Sequence, residues 1–161
     1  MSEDRRFKWE QRFLALAEEV ASWSKDPSTK CGAVIYDAHN RVISLGFNGF
    51  ARGVDDSPER LANRETKLNC TIHAEENALL DARRDLWSIR AKIVVNAHPC
   101  SRCAAKICQS GIKEVAFKPN QQFEARWADD IILAREQFAE AGVYCHPVGR
   151  DNSVAVMMME K

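Results

Sequence analysis

A three-layer α/β/α sandwich around a mixed five-stranded sheet is the fold class this chain predicts, and three observations carry it. Short β-rich runs alternate with segments of helical periodicity along the chain. Later strand runs are separated by single helices, which implies parallel crossovers. The first two runs are instead joined by Asp37-Ala38-His39-Asn40, a spacing that suits an antiparallel hairpin. At 161 residues the chain reads as one domain, 1–161, large enough to bury a core without disulfides. It carries no repeat, linker or low-complexity tract.

Trp9, Phe13, Leu16, Ala17, Val20 and Ala21 recur at helical spacing, predicting an amphipathic first helix over about residues 8–24. Asp26-Pro27-Ser28-Thr29 stops it, because proline disfavours helical geometry in the residue before it. Residues 31–36 and 41–47 are the two hairpin strands. Gly46, Gly49 and Gly53 then mark a loop over 48–69, and loops this long inside a compact domain are functional or mobile. A helix starts near His73 and runs to about residue 84, and 91–96 is a buried strand. A helix over 101–110 is closed by Gly111, and 113–118 is the next strand. A longer helix over 123–141 ends at Gly142, and 143–146 with 153–159 supply the last strand material.

Charge narrows the function classes. The chain has 23 basic and 23 acidic side chains and a formal net charge of zero, so the footprint of non-specific nucleic-acid binding is absent. Arg5, Arg6 and Arg12, and Arg83, Arg84 and Arg90, have acidic neighbours in Glu3, Asp4, Glu10 and Asp81 and read as solvated helix faces. The first six residues lead into no apolar stretch, so no signal peptide is expected. No window approaches the roughly 18 apolar residues of a membrane span. The expectation is a cytoplasmic, reduced protein without membrane or nucleic-acid partners, whose six cysteines form no disulfides. Cys31, Cys70, Cys108 and Cys145 read as small core residues. The Cys70–His73 spacing and the Cys145-His146 pair leave a second, structural zinc open.

The chemistry sits in a split motif, His73-Ala74-Glu75 and, 27 residues after the histidine, Cys100 of Pro99-Cys100-Ser101-Arg102-Cys103. One imidazole and two thiolates leave a tetrahedral zinc with an open fourth position, the catalytic arrangement. Glu75 follows the histidine by two residues, so it can reach a water on the metal without binding the metal. This H-x-E…P-C-x-x-C spacing is the signature of zinc nucleobase deaminases. His73 and Cys100 both fall where a helix begins, and two helix N-termini favour the thiolate forms of Cys100 and Cys103. Pro99 stands just before its helix, where a missing N–H costs nothing. A purely structural zinc with Cys70 or His98 as fourth ligand would leave Glu75 without a purpose. In the catalytic reading the metal lowers the pKa of its water. Glu75 takes a proton from that water and returns protons to the ring nitrogen and the leaving amine, releasing ammonia.

Around these residues the chain resembles the deoxycytidylate (dCMP) deaminase family of the cytidine deaminase-like zinc superfamily, from about Trp9 to Val143. The resemblance is carried by Ser24-Lys25-Asp26-Pro27-Ser28-Thr29 with Gly32-Ala33-Val34-Ile35, by Gly46-Phe47-Asn48-Gly49-Phe50 with Gly53, and by His73-Ala74-Glu75-Glu76-Asn77-Ala78. Cys100-Ser101-Arg102-Cys103-Ala104 and Gln109-Ser110-Gly111-Ile112-Lys113-Glu114-Val115 complete it. It implies the cytidine deaminase-like fold and conversion of dCMP to dUMP in thymidylate supply. It also implies one Zn2+ on His73, Cys100 and Cys103, with Glu75 as the proton shuttle. Asn48 would bond the sugar, Ser24 and Lys25 would lie at the phosphate, and Ala74 and His98 would face the base. It further implies a homo-oligomer, hexameric in the family, with dCTP as activator and dTTP as inhibitor. Asn48, Gly49 and Gly53 would belong to that effector site, and Mg2+ would accompany a triphosphate. Ala51 stands where the family's loop has proline, Val94 and His98 where an aromatic pair is usual, and Trp23 where basic residues are common. Two alternatives stand beside this reading: a deaminase of a modified or different base, and a non-catalytic zinc-containing nucleotide-binding module, against which an intact Glu75 argues. A polynucleotide editor would need a cationic groove that a neutral chain lacks.

Overall fold

The computed structural model describes residues 2–149. In chain order its elements are α1 (Glu3–Ala21), β1 (Gly32–Tyr36), β2 (Val42–Phe47), β3 (Gly49–Phe50), α2 (Pro58–Ala62), α3 (Arg64–Cys70) and β4 (Thr71–Ile72). There follow α4 (Ala74–Ala82), β5 (Lys92–Val95), α5 (Ser101–Ser110), β6 (Glu114–Phe117), α6 (Gln121–Arg126), α7 (Ala128–Glu140) and β7 (Tyr144–Pro147). The main sheet has five strands in the order β2-β1-β5-β6-β7. β1 is antiparallel to β2 and β5, whereas β5–β6 and β6–β7 are parallel, so the sheet is mixed as expected.

Side-chain alternation along the strands sorts the helices into layers, because successive residues of a strand point to opposite faces. Ala33 and Ile35 of β1, Ile93 and Val95 of β5 and Val115 of β6 form one cluster with Ala74, Ala78, Ala104, Ile107, Ala134 and Phe138. Val34, Tyr36, Val94 and Ala116, the intervening residues, pack instead with Phe13 and Ala17 of α1. Helix α1 therefore covers one face, and α4, α5 and α7 cover the other. Among the described residues, no helix is long and apolar enough to cross a membrane.

Two glycines set how closely the helices sit on the sheet. A Cβ at Gly46 of β2 would lie 2.5 Å from the Ala78 nitrogen, and nearer still to the Ala74 oxygen. A Cβ at Gly32 would lie 2.7 Å from the Ala21 nitrogen of α1. The Ser44 hydroxyl adds a 2.7 Å hydrogen bond to the Ala78 carbonyl. α4 is thus seated on the β2 backbone at the end that carries His73.

Several boundaries differ from the sequence expectation, each for a local reason. α1 starts at Glu3, where Glu3 and Asp4 suit the positive end of the helix, and it stops at Ala21 rather than near residue 24. α4 ends at Ala82, because Arg83 turns left-handed at φ 47°. The span 48–69 is not a bare loop. Pro58 opens α2 at a position where proline fits, and the Asn63 side chain caps α3 by accepting from the Thr66 N–H at 2.9 Å. β3 then pairs with β4, so the excursion closes on itself just before His73. The helix expected over 123–141 is two helices: Asn120 caps α6, and Trp127 leaves helical geometry at φ −112°, ψ 25°. The hairpin is present, with the Asp37 carboxylate accepting from the His39 and Arg41 N–H groups and Asn40 at φ 61°. The expected strand material at 153–159 lies outside the described residues.

At the β6–β7 side of the sheet, α1 is held by an ion network. Arg6 donates to Glu10 at 3.0 Å and to Glu114 at 2.5 Å, and Lys92 pairs with Glu114 at 2.7 Å. His146 Nε2 lies 3.6 Å from Glu10 and 3.5 Å from Glu114. Burial alone would raise the Glu114 pKa, but hydrogen bonds from His146 and Lys92 and the charges of Lys92 and Arg6 override it and hold the carboxyl at about 2.

A carboxylate held from 4.5 down to about 2 contributes roughly 3 kcal/mol at neutral pH, at about 1.36 kcal/mol per pH unit. That contribution is present above pH 4.5 and is lost as the pH falls through about 2. Glu114→Gln should therefore lower the melting temperature at pH 7 and flatten its decline between pH 4.5 and 2; an unchanged acid limb would refute the network's role. Gly46→Ala should cost about 1–3 kcal/mol by overpacking. Gly49→Ala, whose Cβ would meet nothing within 4 Å, serves as the near-neutral control in the same unfolding measurement.

Candidate metal centre and active site

His73 and Cys100 are the residues at which two helices begin. His73 is the N-cap of α4 and Cys100 the N-cap of α5, both with extended backbone. Cys103 lies one turn into α5 and is buried. His73 Nδ1 stands 3.5 Å from Cys100 Sγ and 3.4 Å from Cys103 Sγ, and all three donor atoms fall within 4.8 Å of one another. Zinc bonds of about 2.3 Å to sulfur and 2.0–2.1 Å to nitrogen at a tetrahedral angle place the two donors about 3.5–3.6 Å apart. The spacing fits such an ion.

The electrostatics of the donor set point the same way. The Cys100 thiol is pulled down to about 4, first by the hydrogen bond from the Cys103 side chain, then by His73 and the Cys103 N–H. Cys103 is pushed up, because it shares its proton with an ionised Cys100 and is buried near Glu75. His73 is pushed up by its bond to Cys100. Burial first, and Cys100 second, raise the Glu75 carboxyl to about 7. Both sulfurs ionise together only if a cation sits among them, which is what a dication supplies.

Glu75 is the second residue of α4, 5% exposed, and its carboxyl also interacts with the Cys103 side chain. It is therefore beside the donor group without being one of its three members. Ala74 is fully buried beneath Gly46.

The remaining residues singled out in the sequence fall into two other places. Lys25, Asn48, Gly49 and Gly53 line a cleft of about 350 Å³ that none of His73, Glu75, Cys100 and Cys103 lines. Lys25 pairs there with Asp56 at 2.9 Å. The Asn48 amide is tied to backbone, accepting from Cys31 N–H at 2.8 Å and donating to the Thr29 carbonyl at 2.9 Å. The buried Ser24 hydroxyl donates to the Asn48 carbonyl at 2.8 Å. His98 is 3% exposed and packs against Phe117 with ring centroids 4.5 Å apart and the planes tilted by 59°. Its Nδ1 faces the Pro99 carbonyl at 2.8 Å and its Nε2 accepts from Arg135 at 3.4 Å. Those partners assign the neutral Nδ1–H form, and burial together with Arg135 lowers the ring's pKa.

Cys70 and Cys145 join no metal-competent group among the described residues. His146 belongs instead with Glu10 and Glu114, a second donor triplet that already holds its own cations, Arg6 and Lys92. Sequence reasoning did not reach Asp130, whose carboxylate accepts from the Ser101 N–H at 2.9 Å and from its hydroxyl at 2.5 Å. Asp130 lies 29 residues from Ser101, and no local pattern announces the contact.

Comparison with known proteins gives the site a family. Residues 7–118 match the model of the cytidine and deoxycytidylate deaminase zinc-binding region. A protein of Aliivibrio fischeri described as an uncharacterized deaminase in the luxG 3′ region is 50% identical over 138 residues, 84% of this chain and 90% of its own. The deoxycytidylate deaminase of Homo sapiens is 33% identical over 146 residues, 87% of this chain and 79% of its own. The crystal structure of dCMP deaminase from the cyanophage S-TIM5 in complex with dCMP and dUMP superposes with a TM-score of 0.68 at 20% identity, over 91% of this chain and 98% of that one. The fold is thus the cytidine deaminase-like sandwich, and the chain belongs to the cytidine and deoxycytidylate deaminase family.

Proposed function

We propose that this chain is a zinc-dependent hydrolytic deaminase that converts dCMP to dUMP and ammonia, a step of deoxynucleotide supply. The observation that carries the reading is a three-donor group, His73, Cys100 and Cys103, with the buried Glu75 carboxyl beside it and outside the donor set. Curated relatives named deoxycytidylate deaminase support dCMP as the substrate.

Zinc, when bound, supplies a nucleophilic water of lowered pKa at the open fourth position. Glu75 takes one proton from the attacking water and gives it to the pyrimidine N3. It passes the second to the exocyclic amine as the C4–N bond breaks, and it ends in the state in which it began. The C4–O bond formed and the ammonia released account for every atom. Burial keeps the carboxyl's proton from exchanging with bulk water during the two transfers. Lys25, exposed and paired with Asp56, is the cation we assign to the 5′-phosphate. Ser24 and Asn48 act one step back, as the hydrogen-bonded floor of that wall.

The same reading extends to regulation. The part of the cleft lined by Arg52, Asn48, Gly49 and Gly53, with the exposed Trp23 and Phe47 rings edge-on at 6.0 Å, supports a triphosphate effector. dCTP would activate and dTTP inhibit within a homo-oligomer, with Mg2+ on the effector's phosphates. Sigmoidal kinetics relieved by dCTP would support this extension, and hyperbolic kinetics indifferent to both nucleotides would refute it.

Glu75→Gln should lower turnover of dCMP by about 10⁴-fold, the top of the range for a general acid–base group, while one zinc per chain is retained. Residual activity within tenfold of the wild type would show that another group moves the protons. Chelation should abolish turnover and Zn2+ should restore it, with deoxycytidine and other base monophosphates turned over far more slowly than dCMP. Preference for another base would replace the substrate while leaving the deaminase chemistry intact.

A further inference from the structure

Helix α5 has an unusual start. Its N-cap is a cysteine, and the only capping contact that sulfur makes is a 3.5 Å one from the Cys103 N–H. Strong N-caps are oxygen acceptors, Ser, Thr, Asp or Asn. A sulfur committed to a metal is a poor substitute, so the first N–H groups of α5 need an acceptor from elsewhere. α7 provides it. Asp130 lies in the first turn of α7, where a carboxylate ordinarily serves its own helix. Here both of its oxygens go instead to Ser101, one to the N–H at 2.9 Å and one to the hydroxyl at 2.5 Å.

Gln137, two turns further along the same face of α7, donates to the Ser101 carbonyl at 2.9 Å. Two side chains of one helix thus hold the N–H, the hydroxyl and the carbonyl of a single residue. That residue lies directly after Cys100 and two before Cys103. The buried Ile131, Ala134 and Phe138 of α7 keep the grip rigid.

We infer that Asp130, assisted by Gln137, is a positioning residue for the metal centre. It fixes the Ser101 backbone, and with it the spacing of the Cys100 and Cys103 sulfurs, before the ion arrives. The inference rests on the reading that His73, Cys100 and Cys103 hold the metal. Asp130 touches neither the ion nor the substrate; it acts through the α5 backbone, and its effect is read in metal binding.

The test uses the full chain and compares wild type, Asp130→Ala and Asp130→Asn. Zinc affinity is measured by competition with a chromophoric chelator, and the apoprotein is loaded with Co2+ alone to record its d–d and thiolate-to-cobalt bands. Groups that orient metal ligands typically contribute about 10–100-fold in affinity. Asp130→Ala should lose zinc affinity in that range and shift the cobalt bands. Asp130→Asn, which keeps an acceptor for the Ser101 N–H, should recover most of both. An Asp130→Ala protein with wild-type zinc affinity and an unchanged cobalt spectrum would overturn the inference, whatever its melting temperature. If Asp130→Ala fails to fold, Gln137→Ala decides, because it releases only the hold on the Ser101 carbonyl: a weakened zinc affinity or shifted cobalt spectrum supports the role, and wild-type values of both overturn it. Wild-type protein that takes up neither zinc nor cobalt would overturn the metal reading, and the inference with it. That result is distinguishable because it appears before any substitution is made.

Discussion

The meeting of two helix N-termini at one point is the constraint on which the rest of this structure depends. His73 and Cys100 are the N-caps of their helices, so the positive ends of α4 and α5 both face the donor group. That arrangement holds only if both helices are placed on the same face of the sheet with their starting ends together. The parallel β5–α5–β6 crossover puts the start of α5 beyond the C-terminal end of β5. The abutment of α4 on Gly46 brings the start of α4 to the same region. A side chain at Gly46 would force the two apart, and the 3.4–3.5 Å spacing of nitrogen and sulfurs would go with it.

Rigidity around this point is built from hydrogen bonds to backbone together with the Lys106–Glu76 ion pair between α5 and α4 and the Lys67–Asp26 pair. Ser24 and Asn48 tie the exit of α1, the entry of β1 and the exit of β2 to one another. Asn77 of α4 donates to the Phe47 carbonyl at 2.8 Å and joins the helix to the same corner. From that corner the chain makes its excursion through α2 and α3 and returns through the β3–β4 pair directly into His73. A segment that looks like an insertion is therefore anchored at both ends to the ligand helix. Among the described residues, no buried side-chain nitrogen or oxygen lacks a partner, so this polar corner carries no unmet desolvation cost.

What was legible in the sequence is what is local. The ligand spacing, α5 with its Gly111 stop, and the hairpin at Asp37–Asn40 each depend on neighbours within one or two turns. The two short helices of the excursion were legible too: Pro58 after Ser57, and Asn63 three residues before Thr66, are starting signals. A reading of the glycines as loop markers overrode them. The break at Trp127 has no comparable signal, since the apolar periodicity runs through it. Asp130 was illegible for a deeper reason. An acid in a helix's first turn satisfies its own helix, and only the packing of α7 on α5 redirects it to Ser101. The same holds for His146, which reads as half of a metal pair with Cys145. On a strand, adjacent side chains face opposite ways, so His146 reaches Glu10 and Glu114 while Cys145 packs against the other core cluster.

The metal chemistry does not by itself choose a nucleotide, because the donor group and Glu75 act only at the base. Choice of a monophosphate must come from cations outside that group, and magnitudes limit what each can do. The Lys25–Asp56 pair is exposed, with the lysine side chain at 69%, and pairs of that kind contribute about 0–1 kcal/mol. Exchanging Asp56 for a phosphate at Lys25 therefore costs little, and a charge-assisted bond there returns about 1.5–3 kcal/mol. The net is roughly one to two kcal/mol, near tenfold at about 1.4 kcal/mol per decade. Stronger preference for the nucleotide requires a second cation acting on the same phosphate. Arg52 lines the wall of the same cleft as Lys25.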